Sequence, residues 1–312
     1  MIRLENLTKI YSTGVVGRRG IVAVDSVSFK IKIGEIVSLV GESGSGKTTI
    51  GKLILRLIKP TSGKIYFLDR EISSYKPLEY YRNVQGVFQD PFSSFNPIYK
   101  VDRIFENVNR YLLNLPRSEF WGRVEGSLKS VGLNPKDVLG KYPHQMSGGQ
   151  LQRTLIARAL VIGAKFLVAD EIISMLDAST RVDVLNILGD LRDSIGLGIL
   201  FITHDLSLGY YISDTTVIMY RGSVVEIGDT EKVFKNPIHP YTKMLLEAVP
   251  TFKKKWEPSK EMFKIENDAL MFRAGCKYYS RCPFRKDACK EFDGNLSEVE
   301  ENHWAACALF GR

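Results

Sequence analysis

Cysteine is missing from the first 275 residues, and histidine occurs only four times in 312. No histidine-rich metal site can be built from so few imidazoles. No run approaches the roughly 18 consecutive apolar residues that a membrane-crossing helix needs. The opening Met1-Ile2-Arg3-Leu4-Glu5 passes straight into strand-like alternation, unlike a secretory signal. There is no internal repeat and no long low-complexity tract. No stripe of Lys and Arg is interleaved with aromatics, so no nucleic-acid partner is indicated. Thr251-Phe252-Lys253-Lys254-Lys255-Trp256 is a local basic run that reads as a linker, with proximity to a membrane surface as the alternative. A cytosolic chain is expected, peripheral at the cytoplasmic face of the membrane where partners hold it there.

The hydrophobic fraction of 44% and charged fraction of 25% are those of a globular protein, so disorder and coiled coil are set aside. The length allows one large domain and a smaller module. A formal net charge of +8 suits ATP, nucleic acid or an anionic surface, and chooses none of them. Strands are predicted at 2–10, 21–33, 36–40, 64–68, 84–88, 165–169, 198–202 and 215–220, with another through 227 after a hairpin turn at 220–223. Helices are predicted at 47–57, 151–161, 179–194 and 206–212, and much of 101–131 is helical. Strands alternating with helices predict an α/β fold with a mostly parallel sheet covered on both faces. A helical subdomain at about 90–160 interrupts that alternation. The domain reading is 1–236 for the main domain and 237–312 for a C-terminal extension, with a cysteine module at roughly 265–312.

Gly41-Glu42-Ser43-Gly44-Ser45-Gly46-Lys47-Thr48 matches the phosphate-loop pattern in full, between a predicted strand and a predicted helix. Its glycines let successive N–H groups face phosphate oxygens, and the helix N-terminus adds a field that favours anions. Candidate contacts to ATP are Gly41, Ser43, Gly44, Gly46, Lys47, Thr48 and Thr49. Lys47 is expected on the β- and γ-phosphates and Thr48 on Mg2+. The apolar run Phe166-Leu167-Val168-Ala169 ends in Asp170-Glu171. Asp170 is expected to help hold Mg2+, and Glu171 to polarise the attacking water. Ser147-Gly148-Gly149-Gln150 stands before a helix, and reads either as an anion-accepting N-terminus or as a cap and turn. His204 follows the apolar run 199–202, where its imidazole could donate to phosphate.

With these motifs in this order, the chain strongly resembles an ATP-binding cassette ATPase over essentially its whole length. The resemblance implies a division of labour. Gln89 would contact Mg2+ or the lytic water and sense a transport partner, and His204 would contact the γ-phosphate. Ser147, Gly148, Gly149 and Gln150 would complete the ATP site of the opposing subunit. Asp177, in the Ser174–Asp177 loop, would couple two sites across a dimer. Tyr11 is the candidate for stacking on adenine, beside a Gly14–Gly20 insertion. Two residues depart from the family pattern: Ile172 stands where Pro usually follows the catalytic Glu, and Met175 where Ala usually precedes Leu176. Either could alter loop stiffness or the relative activity of paired sites.

The segments 87–97, 225–230 and 236–242 resemble the ATPases of dipeptide and oligopeptide importers, and most closely the second of their two ATPase subunits. This implies an ATP-hydrolysing subunit in a heterodimer with a second cassette ATPase, working with two transmembrane permeases and an extracytoplasmic solute-binding protein. ATP-driven closure of the pair would reorient the pore. The same machinery can import oligosaccharides. A soluble cassette ATPase remodelling other complexes, or a regulator that binds ATP without turnover, are the alternatives from other classes.

Cys276, Cys282, Cys289 and Cys307 are separated by 5, 6 and 17 residues. Four thiolates can serve Zn2+ or a [4Fe-4S] cluster. The gaps exceed the usual tight zinc knuckle, and Pro283 follows Cys282, so the spacing leans toward iron–sulfur. The resemblance leans the same way. Zinc, unliganded thiols and disulfides stay open.

Overall fold

The computed structural model describes residues 1–13, 19–248 and 275–310. Most of the Gly14–Gly20 insertion, the basic run 251–256 and the first part of the cysteine module lie outside the described residues. In chain order the strands are β1 (Ile2–Thr13), β2 (Arg19–Ile31), β3 (Ile36–Val40), β4 (Ser62–Phe67), β5 (Arg70–Glu71), β6 (Val84–Val87), β7 (Phe166–Asp170), β8 (Gly198–Thr203), β9 (Thr215–Tyr220), β10 (Ser223–Asp229), β11 (Ser297–Glu300) and β12 (His303–Ala305). The α-helices are α1 (Lys47–Ile54), α2 (Pro77–Asn83), α3 (Asp102–Val108), α4 (Arg117–Ser130), α5 (Gly148–Ile162), α6 (Ala178–Ile195), α7 (Leu206–Ile212), α8 (Thr230–Lys235) and α9 (Pro240–Glu247).

These elements form two compact units. The first comprises Met1–Ile2, Ile31–Ile36 and Tyr66–Ile202; the second comprises Arg3–Lys30, Val37–Ile65 and Thr203–Arg312. In the first unit β6, β7 and β8 run parallel, with Val84 opposite Phe166 and Phe166 opposite Gly198. Every residue of β7 and β8 is buried, which is why both read as unbroken apolar runs rather than alternating ones. Helix α5 is buried nearly all round, and Gly163 ends it in the left-handed conformation at φ 81°. It is pinned to the adjoining backbone by Gln152 Nε2 donating to the Phe88 carbonyl at 3.3 Å and an Arg158 guanidinium nitrogen donating to the Gly86 carbonyl at 3.3 Å. Helices α3 and α4 pack on α5. The helical part of the first unit thus grows from the segment where the sequence shows no strand pattern.

In the second unit β3 pairs with β9 in parallel, but β9, β10, β12 and β11 are antiparallel in that order. The parallel pairs β6–β7, β7–β8 and β3–β9 agree with a mostly parallel sheet core, while the antiparallel strands that follow β9 make the sheet structure as a whole mixed. The cause is local. Arg221 and Gly222 both have positive φ, 44° and 84°, which suits a tight two-residue hairpin and turns β9 back on itself. The C-terminal hairpin β11–β12 then adds to β10, with Ala305 opposite Glu226. Its anchor is buried: Glu226 accepts N–H bonds from Ile238 and His239, both at 2.9 Å, and pairs with His303 Nε2 at 2.7 Å. Tyr220, Tyr241 and Tyr278 close a core with Val40, Ile218, Val225 and Cys282. Their ring centroids lie 4.6 to 5.5 Å apart. Each such pair is worth about 1 kcal/mol beyond its burial.

Candidate nucleotide site

In the second unit β3 delivers the chain to Gly41, and α1 begins at Lys47. Two glycines here are sterically required. A Cβ on Gly41 would stand 2.2 Å from the Met219 carbonyl oxygen, and one on Gly46 would stand 2.2 Å from the Ala23 carbonyl oxygen. Gly46 is also left-handed, at φ 104°. No side chain can be accommodated at either place without moving backbone. The loop closes on itself through Ser45 N–H donating to the Glu42 carbonyl at 3.1 Å. The Lys47 ammonium is buried and donates to the carbonyls of Gly41 at 2.7 Å and Glu42 at 2.9 Å. A cation at the end of a glycine-rich turn that opens a helix is a ready anion site. Thr48 is exposed and Thr49 half-buried.

The same unit carries His204 and Tyr11. His204 is exposed just past β8, and the next residue, Asp205, caps α7 by accepting from the Ser207 N–H at 2.9 Å. Tyr11 is 37% exposed, with the Lys9 ammonium 5.3 Å from its ring centroid. An aromatic face open to solvent beside a cation suits stacking on a heterocycle.

In the first unit Asp170 is the buried last residue of β7. Glu171 follows with φ 50°, a left-handed conformation that a non-glycine residue adopts only when its surroundings hold it. The holding bonds are explicit. Glu171 N–H donates to the Ile202 carbonyl at 3.0 Å, and its own carbonyl accepts from the Ser174 N–H at 3.1 Å and hydroxyl at 2.9 Å. Ile172 is buried, so the residue standing where the family usually has Pro fills core space, whereas Met175 is 62% exposed. Arg181 braces the same loop by donating to the carbonyls of Leu176 at 2.8 Å and Ser174 at 3.3 Å. Sequence reasoning missed Arg181; its only signal was a basic residue four positions into a helix.

Gln89 is exposed just beyond β6. Ser147 is the N-cap of α5. Its hydroxyl accepts from the Gln150 N–H at 3.2 Å, while the Gln150 side chain accepts from the Ser147 N–H at 3.0 Å. This reciprocal box makes the cap reading of Ser147-Gly148-Gly149-Gln150 a fact of the fold. Gly149 allows α5 to approach α6, since a Cβ there would meet the Thr180 methyl at 2.4 Å. Asp177 caps α6. Its carboxylate takes the Thr180 N–H at 2.9 Å and the hydroxyls of Ser179 at 2.7 Å and Thr180 at 2.8 Å. The Thr180 N–H, then the two hydroxyls, pull its pKa down to about 2.

The four cysteines are free thiols; Cys282, Cys289 and Cys307 are buried and Cys276 half-buried. Burial pushes the Cys276 thiol up to about 11, and the thiols of Cys307, Cys289 and Cys282 add to the rise. Cys276 N–H donates to the Cys289 carbonyl at 2.8 Å. Among the described residues no group of three or more His, Cys, Asp or Glu side chains is placed to hold a metal ion. The expectation of a metal-binding cysteine set therefore gains no support from the side-chain placement. Among the described residues no helix is long and apolar enough to cross a membrane.

Residues 24–174 match the family described as ABC transporter, and residues 225–289 match the family described as oligopeptide/dipeptide transporter, C-terminal region. The chain is 40% identical over 300 residues to the oligopeptide transport ATP-binding protein AppF of Bacillus subtilis, covering 92% of this chain and 89% of that relative. It is 42% identical over 273 residues to the oligopeptide transport ATP-binding protein OppF of the same organism, covering 83% of this chain and 89% of the relative. Among solved structures, cbiO1 from Clostridium perfringens, part of the transporter complex cbiONQ, matches with a TM-score of 0.66 at 27% identity, over 75% of this chain and 90% of that one. The ATP-binding cassette MJ0796, as a post-hydrolysis dimer bound to ADP and Pi, matches with a TM-score of 0.64 at 29% identity, over 74% of this chain and 99% of that one.

Proposed function

Since the chain belongs to the ABC transporter family, we propose that it is the ATP-hydrolysing subunit that energises a membrane importer of dipeptides or oligopeptides. The observation that carries this is the phosphate loop: glycines with no room for a side chain, and Lys47 held within the turn at the start of α1. Support for the peptide branch comes from the match of residues 225–289, which include most of β10 and two of the three core tyrosines, Tyr241 and Tyr278.

The roles follow from the chemistry of each group. Backbone N–H groups of the loop and the Lys47 ammonium bind the β- and γ-phosphates. Oxygen donors suited to Mg2+ come from the Thr48 hydroxyl and the Asp170 carboxylate, with Gln89 as a third candidate. Bound there, Mg2+ would neutralise charge that develops on the transferring phosphoryl group. Glu171 takes the proton of the attacking water, its backbone held by the Ile202 and Ser174 bonds. His204 donates to the γ-phosphate, and Tyr11 stacks on adenine. Ser147, Gly148, Gly149 and Gln150 offer a capped helix N-terminus to a nucleotide held by a partner cassette. Asp177 fixes the start of α6 beside that loop, through Thr180 against Gly149.

The assembly we propose is a heterodimer with a second cassette ATPase at the cytoplasmic face of the membrane, serving two permease subunits and an external binding protein. For the four thiols we propose a [4Fe-4S] cluster. The supporting observations are their number, their burial and the Cys276 N–H bond to the Cys289 carbonyl, which brings two of them onto adjoining backbone. Bound, the cluster would tie the short C-terminal segments together.

The deciding experiment is reconstitution of the native complex in membranes. ATP hydrolysis should rise when a loaded peptide-binding protein is added, and imported peptide should appear inside the vesicles. Stimulation by an oligosaccharide-binding system, with none by peptide, would overturn the substrate class. Anaerobic iron analysis should give about four irons per chain; zinc at one per chain would overturn the cluster.

A further inference from the structure

The phosphate loop contains a carboxylate, Glu42, which is at odds with its task. A loop built to receive a polyanion gains nothing from a negative side chain of its own, and an unpaired one would repel the incoming phosphates. In this structure Glu42 is paired from a distant part of the chain. Arg281 Nη1 donates to Glu42 Oε2 at 3.0 Å, and Arg281 Nη2 donates to Glu42 Oε1 at 3.1 Å. This is a two-pronged pair across 239 positions of sequence, fixed in direction as well as in charge. The guanidinium also stands 5.8 Å from the ring centroids of both Tyr220 and Tyr278. The backbone of Glu42 is held separately, its N–H donating to the Tyr241 hydroxyl at 3.0 Å.

The other end of the loop is held from the same C-terminal segment. The Ser45 carbonyl accepts from the Gly222 N–H at 2.9 Å. The hairpin carrying Gly222 is gripped by Lys277, whose ammonium donates to Ser223 Oγ at 2.6 Å, Asp25 Oδ2 at 2.6 Å and the Arg221 carbonyl at 3.2 Å. Lys277 and Arg281 lie between Cys276 and Cys282, on a segment seated by Tyr278 in the buried tyrosine core.

We propose that Arg281 is a positioning residue of the ATP site: it neutralises Glu42 and, with Lys277 and Tyr241, holds the phosphate loop in its anion-accepting shape, so that the cysteine-bearing segment sets nucleotide affinity. The inference rests on the ATP-binding reading above. The Glu42 charge distinguishes this role from mere structural support. Removing Arg281 leaves a bare carboxylate in the loop, and removing that carboxylate as well restores binding.

The test is equilibrium binding of Mg-ATP and Mg-ADP to the full chain, with thermal melting recorded alongside. Arg281→Ala should weaken Mg-ATP about fivefold at low ionic strength, and Mg-ADP less. The loss should shrink as salt rises. Adding Glu42→Gln to the same chain should bring Mg-ATP affinity back to within about twofold of the unmodified chain. Unchanged affinity in Arg281→Ala, or a loss that Glu42→Gln does not repair, would overturn the proposal. Should Arg281→Ala not fold, Arg281→Gln with and without Glu42→Gln carries the same two outcomes. An unmodified chain without affinity for Mg-ATP would overturn the ATP-binding reading itself; one that binds, but no better than Arg281→Ala, would overturn only the role of Arg281.

Discussion

The phosphate loop and the turn after β7 solve a similar problem by opposite means. Each takes the chain out of a buried strand and into a sharp turn bearing a charged side chain. At the phosphate loop the backbone is left-handed at Gly46, φ 104°, where glycine adopts that conformation freely. After β7 it is left-handed at Glu171, φ 50°, where the side chain itself opposes it and the Ile202 and Ser174 bonds must hold it. Where the working groups are backbone amides, glycine suffices. Where the working group is a carboxylate, the side chain cannot be given up, and the fold carries the strain, on the order of 1 kcal/mol.

The largest effect is expected at the Glu171 carboxylate. Glu171→Gln keeps the size and the backbone of the turn but removes the proton acceptor. Steady-state turnover in the assembled complex should fall by about a hundredfold or more, with Mg-ATP affinity retained. Turnover near the unmodified rate would remove Glu171 from the chemistry. Next comes the loop. Gly46→Ala places a Cβ against the Ala23 carbonyl at a disallowed φ. It should cost about 3 kcal/mol in denaturant unfolding and abolish Mg-ATP binding. A variant that melts and binds normally would mean that Gly46 is not sterically required.

A third substitution separates strain from chemistry at the same residue. Glu171→Gly relieves the strained turn, so the chain should unfold up to about 1 kcal/mol later in denaturant while losing turnover as Glu171→Gln does. A destabilised Glu171→Gly would show that the side chain supports the turn rather than straining it. The smallest effect is expected at Asp177. Its folded pKa is depressed to about 2, so the capping contribution is full above the ordinary carboxylate range near 4 and fades as pH falls toward 2. Asp177→Asn should therefore flatten the pH dependence of thermal stability between about pH 4 and 2 and leave it unaltered near neutrality. An undiminished acid slope in Asp177→Asn would remove this carboxylate from the cap.

The contrast also explains what was legible. Gly41–Thr48 stands out because chemistry and backbone sterics both demand the same residues in one short segment. β7 and β8 stand out because strands buried on both faces are continuously apolar. The strain at Glu171 leaves no mark, since nothing in its neighbours announces φ 50°. Helices α2, α8 and α9 span only seven, six and eight residues, and α2 and α9 open on a proline, which in the sequence reads as a break. The cap of α9 is a histidine, an unusual N-cap, with His239 Nδ1 accepting from the Tyr241 N–H at 3.1 Å. The β9–β10 hairpin was legible at 220–223, but the antiparallel strands beyond it were not, because β11 and β12 are only four and three residues long. Their place beside β10 depends on Glu226 and His303, which are 77 positions apart. The pairing of Glu42 with Arg281 is equally invisible, a contact between the loop and the last tenth of the chain.

Calorimetric titration of Mg-ATP into the full chain and into Lys47→Ala reports whether the triphosphate lies against this loop. Saturable one-to-one binding by the unmodified chain, weakened at least tenfold when the Lys47 ammonium is removed, is the predicted result. Equal affinity in the two proteins would contradict the assignment of the triphosphate to this loop.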